Sequence, residues 1–243
     1  MLVVFPTNHV SLWLIEYVKS LVYSEINCLI LLDNPDMESI KKLENHKIPF
    51  KAYKSPHEPY LEDFIAEYST KLPTGWILRL DSDEWISSAK LRLISDSCKT
   101  LKRHVAYGLP RSWVKMQYPD TSFQTMHQVN SELGRDHQYR LYHNSYIVPI
   151  FRCHTTGIRS ENYELLNLQV EILHLLWPLR DWASRGRDQR KYAQFAGKQE
   201  NLFRTCYVPE EVRNPRWINH EIEDIGEIEM IFNRVYQQEE LEL

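Results

Sequence analysis

Residues 76–86 read Trp-Ile-Leu-Arg-Leu-Asp-Ser-Asp-Glu-Trp-Ile, an apolar run that ends in two closely spaced aspartates. Trp76 to Leu80 is too short for a typical helix, so the pattern predicts a buried strand. In open α/β sheets, ligands bind beyond the carboxyl ends of the strands, where the connecting loops separate. Asp81 and Asp83 are therefore expected at the ligand-binding edge of a sheet.

Upstream of this stretch, apolar segments alternate between strand-like and helix-like spacing. The predicted strands are Leu2 to Phe5, Cys28 to Leu32 and Pro49 to Tyr53. Three helices are predicted between these strands. The first is capped by Ser11, the second runs through Met37, Ile40 and Leu43, and the third covers Leu61 to Tyr68. This order predicts a single α/β domain with a Rossmann-like, mostly parallel mixed sheet that is flanked by helices.

Downstream, the segments read as a mixed or antiparallel continuation of the sheet. We expect a helix around Leu91, Ile94 and Cys98, and strands at Val105 to Pro110, Gln138 to Tyr142, Tyr146 to Phe151 and Leu168 to Leu175. The polar segment from Gln117 to Asp136 lacks clear periodicity, which predicts a functional loop that closes over the substrates. A helix is expected from Pro178 to about Gly197, and a solvated helix after the acidic segment Glu221 to Glu229.

These elements suggest a division of the chain. Residues 1–206 would form the main domain, with one half at residues 1–100 and the other at residues 101–206. Residues 207–243 would form a C-terminal helical extension.

The composition excludes several classes of protein. The net charge of −4 gives no reason to expect nucleic acid as a partner. The 7 glycines show no G-x-G spacing, which excludes a P-loop and a dinucleotide fingerprint. The 4 cysteines contain no C-x-x-C pair, so neither a zinc knuckle nor a disulfide framework is expected. We expect no transmembrane segment and no signal peptide, and hence a cytoplasmic location.

Polar residues follow several predicted strands at the point where each strand ends. Thr7 and Asn8 follow the first strand, Asp33 the second, and Arg79 to Glu84 the fourth. The pair Asp81 and Asp83 (D-x-D) offers hard oxygen ligands for Mg²⁺ or Mn²⁺, which a diphosphate would complete. The alternative is a solvated, aspartate-rich turn that caps the next helix.

Residues 76–86 also resemble the strand and D-x-D-E segment of family-2-like glycosyltransferases with the GT-A fold. Further segments agree in order, and the resemblance spans roughly residues 2 to 197, most closely to bacterial enzymes that act on cell-surface polysaccharide or lipopolysaccharide precursors. These segments are Val3 to Asn8, Leu31 to Asp36, Tyr139 to Asn144, Cys153-His154, Ile172 to Leu175 and Arg190 to Tyr192. The resemblance implies a metal-dependent transfer of sugar from a nucleotide-diphosphate sugar, most often a UDP-sugar. It makes residues 1–100 the nucleotide-binding half of the main domain and residues 101–206 the acceptor and metal half.

The resemblance also implies roles for individual residues. Asp33 would hold the base or ribose, and a late histidine, His174, would complete the metal site and favour Mn²⁺; the alternative for His174 is a core histidine. The implied nucleotide-sugar-binding residues are Thr7, Asn8, Arg79, Asp81, Ser82 and Asp83, together with Asp33. The metal ligands would be Asp81, Asp83 and His174.

A transferase that inverts the anomeric configuration needs a general base for the acceptor hydroxyl. Asp136 is the best placed carboxylate, and Glu132 and Glu161 are the next candidates. The alternative is that Asp136 is an exposed loop charge paired with Arg135. His154 is followed by Thr155, where the family has a glutamate, so no catalytic carboxylate carries over there.

Two other functions stay open at this point. The acidic pair and histidine would also suit a metal-dependent phosphohydrolase or nucleotidyltransferase, and the fold would also suit a non-catalytic sugar-nucleotide-binding protein. The acceptor, whether a saccharide or a lipid-linked precursor, is not identified by the residues. A lipid-linked acceptor would place the protein at the surface of the inner membrane.

Overall fold

A computed structural model describes residues 1–54, 65, 68–116, 123–128, 136–149, 158–160, 162–179, 217–220 and 224–241. The first strands and helices are β1 (Leu2–Thr7), α1 (Leu12–Tyr23), β2 (Cys28–Asp33), α2 (Met37–Asn45), β3 (Phe50–Tyr53), β4 (Trp76–Arg79), β5 (Glu84–Trp85) and α3 (Ser88–Ser97). They are followed by β6 (Val105–Met116), β7 (Phe123–Gln128), β8 (Asp136–His143), β9 (Val148–Pro149), β10 (Ile158–Arg159), β11 (Asn162–Leu165), β12 (Ile172–His174), α4 (Leu176–Leu179), β13 (Trp217–His220) and α5 (Ile225–Leu241).

The first four strands form the parallel half of the sheet, in the order β3-β2-β1-β4. Their inner strands are apolar and buried on both faces, as expected for strands covered by helices on either side. The helices begin at capping side chains: Ser11 accepts a hydrogen bond from Leu14 N–H, and Asp36 accepts one from Ser39 N–H. The strands and helices predicted here are confirmed, apart from residues 55–64, 66 and 67, which lie outside the described ranges.

The second half of the sheet mixes directions. β8 pairs antiparallel with β4 and with β6, and β7 pairs antiparallel with β6. β11 and β12 pair parallel with β6, and β12 also pairs antiparallel with β5. The predicted α/β class is therefore confirmed: a mixed sheet flanked by helices.

The predicted loop from Gln117 to Asp136 is wrong in part. Phe123–Gln128 is a strand, β7, and Asp136 is the first residue of β8. The sequence does not indicate β7, because Phe123 and Met126 are three positions apart and so do not show the period of two that marks a strand. Pairing with the long strand β6, and on its other side with β13, stabilises β7 instead. The predicted closing loop is thus a sheet strand over residues 123–128.

The C-terminal residues join the same structure. β13 extends the sheet beside β7, and α5 packs with its buried face against α1. The buried positions of α5 are Ile228, Ile231, Phe232 and Val235, which follow the spacing of one helix face. The expected solvated helix is therefore wrong, because one face of α5 belongs to the hydrophobic core. The predicted division after residue 206 stays a prediction.

The predicted strand from Leu168 to Leu175 is shorter in the structure, where Ile172–His174 alone pairs as β12. The predicted helix from Pro178 to Gly197 lies outside the described residues, apart from the end of α4. In the described part of the chain, no helix is long and apolar enough to cross a membrane.

Candidate functional site

The carboxyl ends of β1, β2, β4, β6 and β12 lie at one edge of the sheet, because these strands run in the same direction. β8 runs the opposite way, so its first residue lies at the same edge. The predicted site residues occupy this edge: Thr7, Asn8, Asp33, Arg79, Asp81, Ser82, Asp83, Asp136 and His174.

The ends of β1 and β2 present neighbouring polar groups. Thr7 Oγ1 donates to the backbone oxygen of His9 at 2.7 Å and accepts from His9 N–H at 3.2 Å, so its hydroxyl shapes the turn that exposes Asn8. Leu32, which lies beside Thr7 in the parallel register, is followed by Asp33, a buried residue 6% exposed. A nucleoside in this corner would meet the Asn8 amide and the Asp33 carboxylate.

Asp81 to Glu84 form a tight turn after β4. Glu84 N–H donates to the backbone oxygen of Asp81 at 3.0 Å, and Asp81 N–H donates back to Glu84 Oε2 at 2.9 Å. Ser82 and Asp83 lie at the tip of this turn. Arg79 precedes it in β4, and its buried Nε makes no hydrogen bond to the described residues.

Four charged side chains, which we call the acid–arginine cluster, lie beside this turn: Asp81, Glu84, Arg111 and Arg140. Arg140 donates to both carboxylate oxygens of Asp81, at 3.2 and 2.6 Å, and to Glu84 Oε1 at 3.0 Å. Arg111 donates to the same Glu84 oxygen at 3.3 Å. Bidentate contacts of this kind are strong and fix geometry.

Glu84 is the most deeply buried acid of the cluster, with 0% of its side chain exposed. Burial raises its pKa to about 8, the nearby charge of Asp81 adds to the rise, and Arg111 opposes it. Since desolvation disfavours the charged form so strongly, Glu84 depends on its two arginines to be ionised.

Asp83 and His174 face each other across the same edge. Leu175 N–H donates to the backbone oxygen of Asp83 at 2.7 Å, which ties the end of β12 to the acidic turn. Nε2 of His174 then lies 3.3 Å from Asp83 Oδ2. The ring of Trp113 packs against the imidazole at a centroid distance of 4.2 Å. Nδ1 of His174 is buried and makes no hydrogen bond within the described ranges.

A divalent cation at this edge would find only two of its three predicted ligands. Among the described residues, no group of three His, Cys, Asp or Glu side chains is close enough to hold a metal ion. Asp81, one of the three predicted ligands, is engaged by Arg140 instead. Asp83 and His174 do fit: two neighbouring ligands of an octahedral ion with bonds of about 2.1 Å lie about 3 Å apart, near the observed separation.

Asp136, the predicted base, is the first residue of β8 and lies opposite Arg111 in the antiparallel register. This position brings its backbone to the edge that carries the acidic turn. Glu132, Glu161 and Arg135 lie outside the described residues.

Glu84 was expected at this edge without a role of its own, and Arg111 and Arg140 were not predicted there. Glu84 directly follows Asp83, and Arg140 lies inside a strand whose neighbours Leu141 and Tyr142 are buried. A charged residue inside a buried strand needs a partner of opposite charge, which is the signal that would have paired Arg140 with the acidic turn.

Three solved structures that are similar to this chain share little of its sequence. TarS residues 1–349 from S. aureus, in complex with UDP, is 11% identical over 87% of this chain and 75% of that chain, with a TM-score of 0.45. HddC from Yersinia pseudotuberculosis, complexed with GMP-PN, is 9% identical over 72% and 92%, with a TM-score of 0.43. The 4-diphosphocytidyl-2C-methyl-D-erythritol synthase from Anaerococcus prevotii is 12% identical over 68% and 85%, with a TM-score of 0.41.

No protein-family profile matches the sequence, and no curated protein matches it. The residues of the site, rather than these distant likenesses, support the function proposed below.

Proposed function

We propose that this protein is a glycosyltransferase that moves a sugar from a nucleotide-diphosphate sugar, such as a UDP-sugar, to a saccharide or lipid-linked acceptor, with Mn²⁺ or Mg²⁺ as cofactor. The observation that carries the proposal is the Asp83–His174 pair, 3.3 Å apart, at the carboxyl edge of the sheet. One carboxylate and one imidazole leave most positions of a cation for diphosphate oxygens and water.

The other residues at this edge would bind the donor. Asn8 and Asp33 would contact the nucleoside, as hydrogen-bonding groups at the ends of adjacent parallel strands. The Arg79 guanidinium, whose buried Nε makes no hydrogen bond to described residues, would contact a phosphate. Ser82, at the tip of the turn, would add a hydroxyl.

The reaction needs charge stabilisation at the leaving group and a base at the acceptor. A cation held by Asp83 and His174 would offset the negative charge that develops on the departing nucleotide diphosphate. Asp136, at the same edge, would accept the proton of the acceptor hydroxyl as the new glycosidic bond forms. The backbone of Asp136 pairs in register with that of Arg111, a member of the acid–arginine cluster.

Calorimetry with a panel of nucleotide diphosphates and nucleotide sugars tests the donor site. We expect one nucleotide class to bind in the presence of Mn²⁺, and the Asp83→Asn variant to lose at least about tenfold in affinity, which is about 1.4 kcal/mol. Asp96→Asn is the matched control, because Asp96 is an exposed helix residue paired with Lys99 and should leave binding unchanged. If the wild-type protein binds no nucleotide with or without Mn²⁺, the proposed donor site is wrong.

Product analysis separates the alternatives. Release of a nucleotide diphosphate from a nucleotide sugar supports glycosyl transfer, whereas release of pyrophosphate from a nucleoside triphosphate supports nucleotidyl transfer. Hydrolysis of varied phosphate esters supports a phosphohydrolase. Binding of nucleotide sugar without turnover on any acceptor supports a binding protein.

A further inference from the structure

The acid–arginine cluster lies directly beside the pair that would hold the metal. Both carboxylate oxygens of Asp81 accept hydrogen bonds from Arg140, and Arg140 is only 3% exposed. Asp83, two residues further on, faces His174 instead. The two aspartates of the D-x-D pair thus meet different groups: a guanidinium, which can only donate hydrogen bonds, and an imidazole, which can also bind a metal.

We infer that Arg140 is a positioning residue that keeps Asp81 from ligating the metal, so that the cation binds tightly at Asp83 and His174 only together with the donor diphosphate. The inference rests on the proposed function, and it adds an order of binding to it.

The contacts of Arg140 explain why it would stay on Asp81. Its second partner, Glu84, is fully buried and is held in turn by Arg111 and by the backbone N–H of Asp81. If Arg140 left Asp81, it would have to stay buried beside Glu84 or pull that acid out of place. Breaking a buried ion pair in this way is costly, because it leaves a buried charge uncompensated.

The charges of the cluster explain why the metal would bind tightly only together with the donor. Arg111 and Arg140 contribute two positive charges, which at least match the negative charge of Asp81 and Glu84, so the cluster by itself attracts no cation. The Asp81 side chain is 36% exposed, yet a cation there would lie beside the Arg140 guanidinium. A diphosphate supplies both oxygen ligands and the missing negative charge.

Mn²⁺ titration in the calorimeter, first without nucleotide and then with UDP, tests the inference. For the wild-type protein we expect weak binding of Mn²⁺ alone and binding at least about tenfold tighter with UDP. Arg140→Lys keeps one charge but loses the bidentate fork, which frees an oxygen of Asp81. This variant should bind Mn²⁺ alone about tenfold more tightly than the wild type, with a smaller effect of UDP.

Two further proteins complete the test. The double variant Arg140→Met, Glu84→Gln removes one positive and one negative charge together, so it serves if Arg140→Lys does not fold in a thermal melt. Arg92→Lys is the matched control, since Arg92 is an exposed arginine that donates to the backbone oxygen of Ser24; its Mn²⁺ affinity should equal that of the wild type.

The outcomes distinguish this inference from the proposed function. Wild-type protein that binds UDP, yet binds Mn²⁺ equally well with and without it, overturns the inference, whatever the variants do. Unchanged Mn²⁺ affinity in the Arg140 variants also overturns it. If the variants bind Mn²⁺ more tightly while no nucleotide binds the wild type, the role of Arg140 stands and the donor site is wrong.

Discussion

Asp81 and Asp83 are two positions apart in the sequence, yet the turn gives their carboxylates different partners. Asp81 lies within reach of Arg140 on β8, and Asp83 lies 3.3 Å from His174 on β12. A short motif therefore delivers two acids to two different strands. Equivalent residue types in one motif need not have equivalent roles, because the strands around them determine which charges they meet.

His143 is a buried histidine at the other end of β8, 6% exposed, and it makes a pH-dependent contribution to stability. Its Nδ1 accepts a hydrogen bond from Ser145 N–H at 3.4 Å, and its ring packs edge-on against Trp76. Burial, and then the charge of Arg103, lowers its pKa from the ordinary value. The folded protein therefore binds fewer protons here than the unfolded chain does.

This shift predicts how stability changes with pH. The contribution of His143 is present above the unfolded pKa of about 6.5 and is lost as the pH falls through the lower folded value. We expect His143→Asn, which retains an acceptor for Ser145, to reduce the loss of unfolding free energy between about pH 7.5 and 5. Urea denaturation at a series of pH values measures this loss of unfolding free energy. An equal dependence of unfolding free energy on pH in the wild type and in His143→Asn would contradict the prediction. His104→Asn, at an exposed site, is the control.

Two helices are joined by hydrogen bonds next to the acidic turn. Ser87, the N-cap of α3, accepts from Lys90 N–H and donates to Asp224 Oδ2 at 2.8 Å, just before α5 begins. Ser88 N–H, in turn, donates to Glu227 in the first turn of α5. The start of α3 is thus held by the start of α5, three residues after Glu84.

A double-mutant cycle measures this link. We expect Ser87→Ala to cost about 1 kcal/mol through the lost cap, and a coupling energy of about 0.5–1.5 kcal/mol between Ser87→Ala and Asp224→Gly. Glycine suits the second position because it removes the acceptor and tolerates the positive φ of 63° at Asp224. The exposed pair Asp96 and Lys99 provides the comparison cycle, with a coupling of about 0.5 kcal/mol or less. No coupling at Ser87 would show that the two helix starts are independent.

The protein as a whole depends on α5, although α5 is far in sequence from the sheet's first strands. Phe232, 4% exposed, lies against Trp13 of α1 at a ring-centroid distance of 4.8 Å. The other buried residues of α5 belong to the same core cluster as β1, β2 and β4. The C-terminal helix therefore closes the hydrophobic core on the α1 side.

Removing the Phe232 ring tests this role. We expect Phe232→Ala to lower the unfolding free energy by about 3–5 kcal/mol, because a large buried ring is lost and a cavity remains. Phe232→Leu should cost less, since it fills more of the space. Met230→Ala on the exposed face of α5 is the control, with an effect of about 0.5 kcal/mol or less. If Phe232→Ala behaves like Met230→Ala in chemical denaturation, α5 is a solvated extension after all.

Much of the fold followed from local pattern. The parallel strands β1 to β4 and the helices α1, α2 and α3 were predicted because apolar spacing and capping residues act within a few positions of each other. Thr7, Asn8, Asp33 and the D-x-D pair directly follow predicted strands, and they were expected at one edge because the ends of parallel strands must share an edge. The strand β7 and the buried face of α5 escaped prediction because distant partners stabilise them.

The candidate site was likewise predictable only in part. Residue order alone determined that two aspartates follow a buried strand and that a histidine ends a later one, because both are properties of short segments. The pairing of Asp83 with His174, and of Asp81 and Glu84 with Arg140 and Arg111, depends on which strands become neighbours in the folded sheet. Burial then makes those partners matter, since a charge removed from water must be matched by groups that arrive from elsewhere in the chain.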